Sequence, residues 1–278
     1  MRRVVVSWRT MSYCLSMCGV WKSYDAGVRG CSATVTVLRD VHLDVASGEM
    51  VGIVAAPVSG KTTLLMCAAG LLRADRGYVT WFGRPPRRDA SARPEGIALA
   101  GDRPFPYGFL SIREAVEYAA IVRDLPLRDS AQRVSDALER AGLGAISHRR
   151  VDTLEGNALA RLSVATALLS RPRLVLIDDF APGCDADTAG EMLAVLRSVA
   201  SEGAGIVVAG RFATRLSSGA DVADVRTRCF TLLAGRVEPT SDRADVAGRR
   251  AAVAVPFAHT RVAEPSSRTS AARPPEAQ

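Results

Sequence analysis

Gly60-Lys61-Thr62-Thr63, set between the apolar run at residues 50–54 and the helical pattern at residues 64–72, decides how the rest of this chain reads. A strand feeding a short loop, whose Lys and hydroxyls open a helix, gathers backbone N–H groups and a positive dipole end around an anion. In such a loop the Lys61 ammonium reaches β- and γ-phosphates and the Thr62 hydroxyl ligates Mg²⁺, with Ser59, Gly60 and Thr63 completing the cradle. The loop departs from its own pattern at one point. Gly is expected six residues before the Lys, and Ala55 stands there.

Among 36 basic residues, only Lys22 and Lys61 are lysine. A chain that writes Arg for nearly every positive charge has placed its compact ammonium at the phosphate-reaching position, where a planar guanidinium does a different job.

The chain has 278 residues, 48% hydrophobic and 23% charged, enough for one large α/β domain with an inserted subdomain or a tail. No apolar stretch approaches the ~18–20 residues of a membrane span. Trp8-Arg9-Thr10 cuts the apolar run after Arg2-Arg3 too short for a signal peptide. Six scattered cysteines, with no C-x-x-C and no His at ligand spacing, point away from metal or disulfide chemistry and toward a reducing cytosol. The net charge of +7 lies at the ends: Arg2, Arg3 and Arg9 carry +3, and six Arg against four acids after Pro239 carry +2, leaving about +2 for the body. A nucleic-acid platform needs its basic excess on one folded face, so no nucleic-acid partner is expected.

Strands are expected at residues 13–20, 34–45 (a strand or strand pair) and 78–82, with a Gly-punctuated loop at 25–32. Short β-branched runs at residues 51–54, 174–177 and 206–208 mark parallel strands buried on both faces, with helices crossing between them. From about residue 104 to 172 the periodicity is helical. Ser111-x-x-Glu114 is a capping box opening a helix over 112–122, a second helix runs from near Asp129 to Ala141, and a third from near Asn157 to before Pro172. Residues 1–11 read as an extension, and residues 239–278, rich in Arg, Pro, Ser and Ala, as a mostly disordered tail.

The second centre of chemistry lies 117 residues after Lys61, where Leu174-Val175-Leu176-Ile177 ends in Asp178-Asp179. An Asp ending a buried strand beside a phosphate loop holds Mg²⁺, and a second carboxylate orients or deprotonates an attacking water. Two acids at a strand end mean little alone; paired with Lys61 they read as a metal site.

In this order the motifs resemble the ATP-binding cassette family, the nucleotide-binding domains of ABC transporters, over residues 12–238. Tyr24 falls where that family stacks an aromatic on adenine, residues 55–63 on its phosphate loop, and Leu174 to Asp178 on its Walker B strand. Leu154-Glu155-Gly156-Asn157 falls on the signature that reads Leu-Ser-Gly-Gly in most members, and Pro182-Gly183-Cys184-Asp185 on the segment whose Asp reaches across a dimer. The resemblance implies an α/β P-loop NTPase cassette: a mainly parallel sheet core, an antiparallel β-subdomain and an inserted all-helical subdomain. It implies ATP and Mg²⁺ as cofactors, with Glu155 and Gly156 at a nucleotide held by a second cassette subunit. Separately encoded membrane subunits, and a place at the inner, cytoplasmic face of the cell membrane, follow from the same resemblance.

The departures bear on catalysis. Ala55 and Val58 replace glycines, and a β-branched residue in a left-handed conformation is strained. Glu155 replaces a Ser that would touch γ-phosphate; like charges about 4 Å apart cost a few kcal/mol at intermediate dielectric, although an acid also suits a helix N-terminus. Asp179 stands for the catalytic Glu, one methylene short. Asp102 stands for the Gln that senses γ-phosphate and Mg²⁺. Arg211 stands for the switch His and cannot relay a proton near neutral pH. Two readings follow: an ATPase subunit turning over slowly, or a catalytically impaired cassette acting as an ATP-binding scaffold or regulatory subunit, possibly in a heterodimer.

Overall fold

The computed structural model describes residues 13–25, 34–84, 95–101, 107–180, 183–218 and 225–240. In chain order they form β1 (Tyr13–Asp25), β2 (Thr34–Ala46), β3 (Glu49–Ala55), α1 (Lys61–Ala68), β4 (Arg76–Trp81), β5 (Ile97–Gly101), α2 (Ile112–Val122), α3 (Leu127–Arg140), α4 (Gly156–Leu168), β6 (Leu174–Asp178), α5 (Ala186–Ser201), β7 (Gly205–Ala209), α6 (Arg215–Ser218), β8 (Arg226–Leu233) and β9 (Arg236–Pro239). Two sheets result. One is antiparallel in the order β2-β1-β4; the other runs β5-β6-β7-β3-β8-β9, parallel from β5 to β8. Only its last pair, β8 and β9, is antiparallel, closed by a two-residue turn at Ala234 (φ 48°) and Gly235 (φ 81°). Both central residues at positive φ is the hairpin geometry that suits strand twist.

Buried β-branched runs become the middle of the parallel sheet, as their composition requires. Met50, Val51 and Ile53 of β3 and Ile206 and Val207 of β7 are fully buried. Three strands, β5, β8 and β9, escape the sequence reading. β5 pairs with β6 at the sheet edge, although Ile97-Ala98-Leu99-Ala100-Gly101 has a single β-branched residue. Residues 34–45 form one strand rather than two, β1 continues past Val20 to Asp25, and α1 ends at Ala68 rather than near Leu72. At the chain's far end, β9 reaches Pro239 and Thr240 N–H still bonds Cys229 O at 3.0 Å, so folded structure passes residue 238.

The helical subdomain has its own core. Ser111 caps α2, accepting from Glu114 N–H at 3.2 Å while Glu114 accepts from Ser111 N–H at 2.8 Å. Such reciprocal capping contributes about 0.5–2 kcal/mol. Ile112 and Val116 then pack on Leu138, Leu143, Leu162 and Leu169. α4 serves two cores: Leu162 and Ala165 face the helical subdomain, and Ala160, Val164 and Ala167 face the sheet. Its residues are buried nearly all round, so it ties the insertion to the body.

Two contacts fix the antiparallel sheet over the parallel one. Glu49 is 1% exposed and takes both Arg228 Nε (2.5 Å) and Ala46 N–H (2.8 Å), while Arg228 also donates to Asp44 O. Removing Arg228 would leave the buried Glu49 carboxylate with Ala46 N–H and the more distant Arg226. Trp81, at the end of β4, donates its indole N–H to Ala68 O at 2.6 Å and so satisfies a carbonyl in the last turn of α1.

Candidate functional site

β3 runs buried to Ala55, and the chain then turns through residues 56–60 into α1. Gly60 is the N-cap at φ 97°, and a Cβ there would stand 2.7 Å from Val37 Cγ1, so no side chain fits. Val58 adopts φ 60° and is almost fully exposed. A left-handed L-residue costs roughly 1–2 kcal/mol. The strain expected from the sequence is therefore present, while the loop keeps its left-handed turn despite the missing glycines.

Inside this loop a buried hydroxyl has no hydrogen-bond partner among the described residues, and the ammonium has only a backbone carbonyl. α1 starts without a side-chain cap. Lys61 Nζ folds back to Ala56 O at 3.2 Å. Ser59 Oγ is buried with no hydrogen-bond partner among the described residues. An unsatisfied buried hydroxyl costs about 1–3 kcal/mol, and a phosphate oxygen would satisfy it. Orphan hydroxyl, ammonium and uncapped helix start are the donor set of an anion site.

Tyr24 closes one side. Its hydroxyl lies 3.3 Å from Thr63 Oγ1, its ring is largely exposed, and Lys22 Nζ lies 5.8 Å from the ring centroid. Lys22 is pinned by Asp75 at 2.7 Å, which also accepts from Ser23 N–H at 2.7 Å. The Lys22 ammonium first, and then the Ser23 N–H, hold the Asp75 carboxyl below its ordinary range. This bracing sets the aromatic beside the helix that begins with Lys61.

The strand-end acids lie across the sheet. Asp178 ends β6 in register with Gly101 and Ala209, and α1 packs against β6. Asp179 leaves the strand at φ 61°, donates its N–H to Ala209 O at 2.7 Å and accepts from Phe180 N–H at 3.0 Å through Oδ1. Its carboxyl carbon lies 2.5 Å from where a Cβ on Gly210 would be, so the carboxylate is held between its own Phe180 N–H and the turn after β7. Arg211 is engaged at the 183–185 turn. Its guanidinium donates to Cys184 O at 3.0 Å and rests 4.6 Å from the Phe212 ring centroid. Asp102 and Pro182 lie outside the described residues.

Glu155 is the N-cap of α4 in extended backbone (φ −116°, ψ 176°), with no side-chain cap bond. Gly156 is pressed against the Gly183–Cys184 peptide, where any Cβ would collide with backbone. Arg149 and Thr153 line an open cavity of about 740 Å³ with this turn. Asn157 has a role that sequence reasoning missed. Its Oδ1 accepts from Asp185 N–H at 2.9 Å, and its Nδ2 donates to Asp185 Oδ2 at 2.7 Å. Asp185 caps α5 through Thr188 N–H at 2.7 Å. That N–H first, then the Asn157 amide, hold its carboxyl below the usual carboxylate range. Burial, with Asp185 adding to it, pushes the neighbouring Cys184 thiol up. The signal in the sequence was Asn157 itself, an amide where the signature has Gly.

Comparison with known proteins bears on the family and the fold. A family profile described as ABC transporter matches residues 38–181. A macrolide export ATP-binding/permease protein, MacB 1/2 of Paracoccus denitrificans, is 32% identical over 219 residues, covering 75% of this chain and 32% of that protein. An uncharacterized ABC transporter ATP-binding protein of Thermotoga maritima is 29% identical over 246 residues, 86% of this chain and 99% of its own length. The chain thus spans about a third of the first relative and nearly all of the second. In fold it superposes on a dimeric post-hydrolysis ATP-binding cassette, MJ0796, bound to ADP and Pi, with a TM-score of 0.66 at 22% identity, covering 81% of this chain and 96% of the other.

Proposed function

The chain belongs to the ABC transporter family, and from that premise we propose that it is an ATP-binding subunit that binds MgATP and couples slow hydrolysis to separately encoded membrane subunits. The observation that carries this reading is the buried Ser59 hydroxyl, unpartnered among the described residues, beside Lys61 at a helix start without a side-chain cap. Lys61 holds the phosphates, with Ser59, Gly60 and Thr63 lining the loop; Thr62 and Asp178 hold the metal, and Tyr24 offers its ring to the base. MgATP, when bound, supplies the γ-phosphoryl group and the cation that neutralises its charge. Asp179 orients water, at a disadvantage, because its carboxylate already serves Phe180 N–H. Among the described residues no helix is long and apolar enough to cross a membrane; membrane subunits would hold the chain at the inner face of the cell membrane.

A second cassette subunit supplies the signature opposite Lys61, and Glu155 and Gly156 face the partner's nucleotide. Glu155 brings a carboxylate toward that anion, which favours a heterodimer with a more typical partner. The competing reading, an ATP-binding scaffold with negligible turnover, is favoured by Asp179, whose carboxylate is held at Phe180 N–H, and by Arg211, whose guanidinium is spent on Cys184 O. Calorimetric MgATP binding by wild type and Lys61→Ala, with turnover measured with and without the partner cassette, tests both. Equal ATP affinity in the two proteins overturns the proposal. Tight binding with no turnover beside any partner leaves the scaffold.

A further inference from the structure

Residues 183–185 are held from two sides by side chains that stand where the family resemblance has Gly and His. On one side, the Asn157 amide both donates to and accepts from Asp185, at 2.7 and 2.9 Å. With Thr188 N–H on Oδ1, this engages the N–H and both carboxylate oxygens of Asp185. On the other side, Arg211 donates to Cys184 O at 3.0 Å. The guanidinium stacks on Phe212, and the Phe212 ring lies 5.9 Å between centroids from Phe180, which is buried directly after Asp179. Gly156 and Gly183 are already in backbone contact, so little slack separates the two segments.

We propose that Asn157 and Arg211 are positioning residues that strap the 183–185 turn to the start of α4 and to the loop after β7, so that the strand-end acids and the signature turn shift as one body. Its functional meaning, that the chain's own nucleotide site and the face it offers a second subunit are mechanically linked, rests on the cassette reading. Its physical content does not need nucleotide. A single exposed hydrogen bond is weak, but three that share one short turn act together. Glycine at 157 could make neither bond to Asp185. Coupling between sites travels through packed side chains and hydrogen bonds of this kind, and the warrant for it is a measured response at one end to a change at the other.

Amide hydrogen exchange on the full chain, without nucleotide, tests the strap. The reporters are Thr188 and Ala189 at the start of α5, and Leu159, which closes the first turn of α4 on Glu155 O at 3.0 Å. Arg211→Ala is expected to speed exchange about 3- to 10-fold at all three amides. In an Asn157→Ala background the same change should speed Thr188 and Ala189 and leave Leu159 unmoved. Asn157→Asp alone sets two carboxylates together and should loosen both helix starts, while Asn157→Asp with Asp185→Asn should restore wild-type rates. Arg211→Ala acting on α5 alone in the wild-type background, or equally on Leu159 in both backgrounds, overturns the proposal, as does failure of the swapped pair to restore protection. Should Arg211→Ala not fold, as judged by thermal melting, Arg211→Gln carries the same comparison. Calorimetry of wild type with MgATP separates this result from the cassette reading: no ATP binding alongside intact exchange coupling removes the functional meaning and leaves the strap.

Discussion

The phosphate loop and the signature turn both carry residues foreign to their motifs, yet they treat their polar groups in opposite ways. In the loop, Val58 holds a left-handed conformation a glycine would take freely, Ser59 Oγ is buried without a partner among the described residues, and Lys61 rests on a nearby carbonyl. In the turn, Asn157, Asp185 and Thr188 answer one another's donors and acceptors. The loop tolerates the wrong residue because backbone shape alone matters there. The turn has been rebuilt, because an added amide created bonds a glycine cannot make. An unsatisfied region is poised for a ligand; a satisfied one has become part of the frame.

The largest expected effect strikes the satisfied side. Gly156→Ala drives a methyl into the Gly183–Cys184 backbone, and with no flexible side chain to yield, stability should fall by about 3 kcal/mol or more, read by denaturant unfolding. Gly156→Ala tolerated without loss would mean the two turns are not packed as one unit. On the unsatisfied side, Lys61→Ala should raise the Kd for MgATP roughly 30- to 100-fold, about 2–3 kcal/mol, while melting hardly changes. Next comes Asp179→Glu. The longer arm can leave Phe180 N–H and reach outward, so turnover in a complex with a typical cassette should rise at least about 10-fold, or ~1.4 kcal/mol in barrier, with KM little altered. Val58→Gly removes the left-handed strain at an exposed site with no packing to lose; after the entropy cost of Gly it should stabilise by only about 0.5–1 kcal/mol, seen as a small rise in Tm.

The smallest effect is titration of Asp185. Its carboxyl is held below the ordinary range by Thr188 N–H and the Asn157 amide. A depressed folded-state value means the contribution is fully present above the unfolded pKa, about 3.9, and is lost as pH falls through the folded value. Wild type and Asn157→Ala should therefore differ by a constant margin from pH 7 down to about 5, and the margin should shrink below about 4 to what the Asp185 N–H bond to Asn157 Oδ1 still contributes. A margin that does not shrink in acid would show that Asn157 does not act through the carboxylate.

Where sequence alone sufficed, the cause was local. Ser111-x-x-Glu114 makes its own helix start, and β3 and β7 are short β-branched runs of the kind that buried parallel strands house. α3 begins two residues before Asp129 because Pro126 opens it through its fixed φ, without any capping hydrogen bond to announce it. β5 is invisible for a different reason: alternating alanine carries little strand preference, and what makes it a strand is the register with β6. In the site, residue identity suggested a phosphate loop at residues 55–63 but not where the Arg211 and Asp179 side chains lie. Those positions are set by Cys184 O, Gly210 and Phe180 N–H, partners chosen by topology. Asn157 and Asp185 lie 28 residues apart, a pairing no periodicity encodes.

Trp81 adds a property of another kind. Its indole, 9% exposed, hydrogen-bonds the carbonyl of Ala68 at the end of α1, and that helix of eight residues is only about 12 Å long from its first turn at Lys61. A fluorophore is thus wired to the far end of the rod on which an anion would sit, in a chain with only three tryptophans. Trp81 emission is expected to respond when an anion occupies the loop, and titrating MgATP while following tryptophan fluorescence checks it.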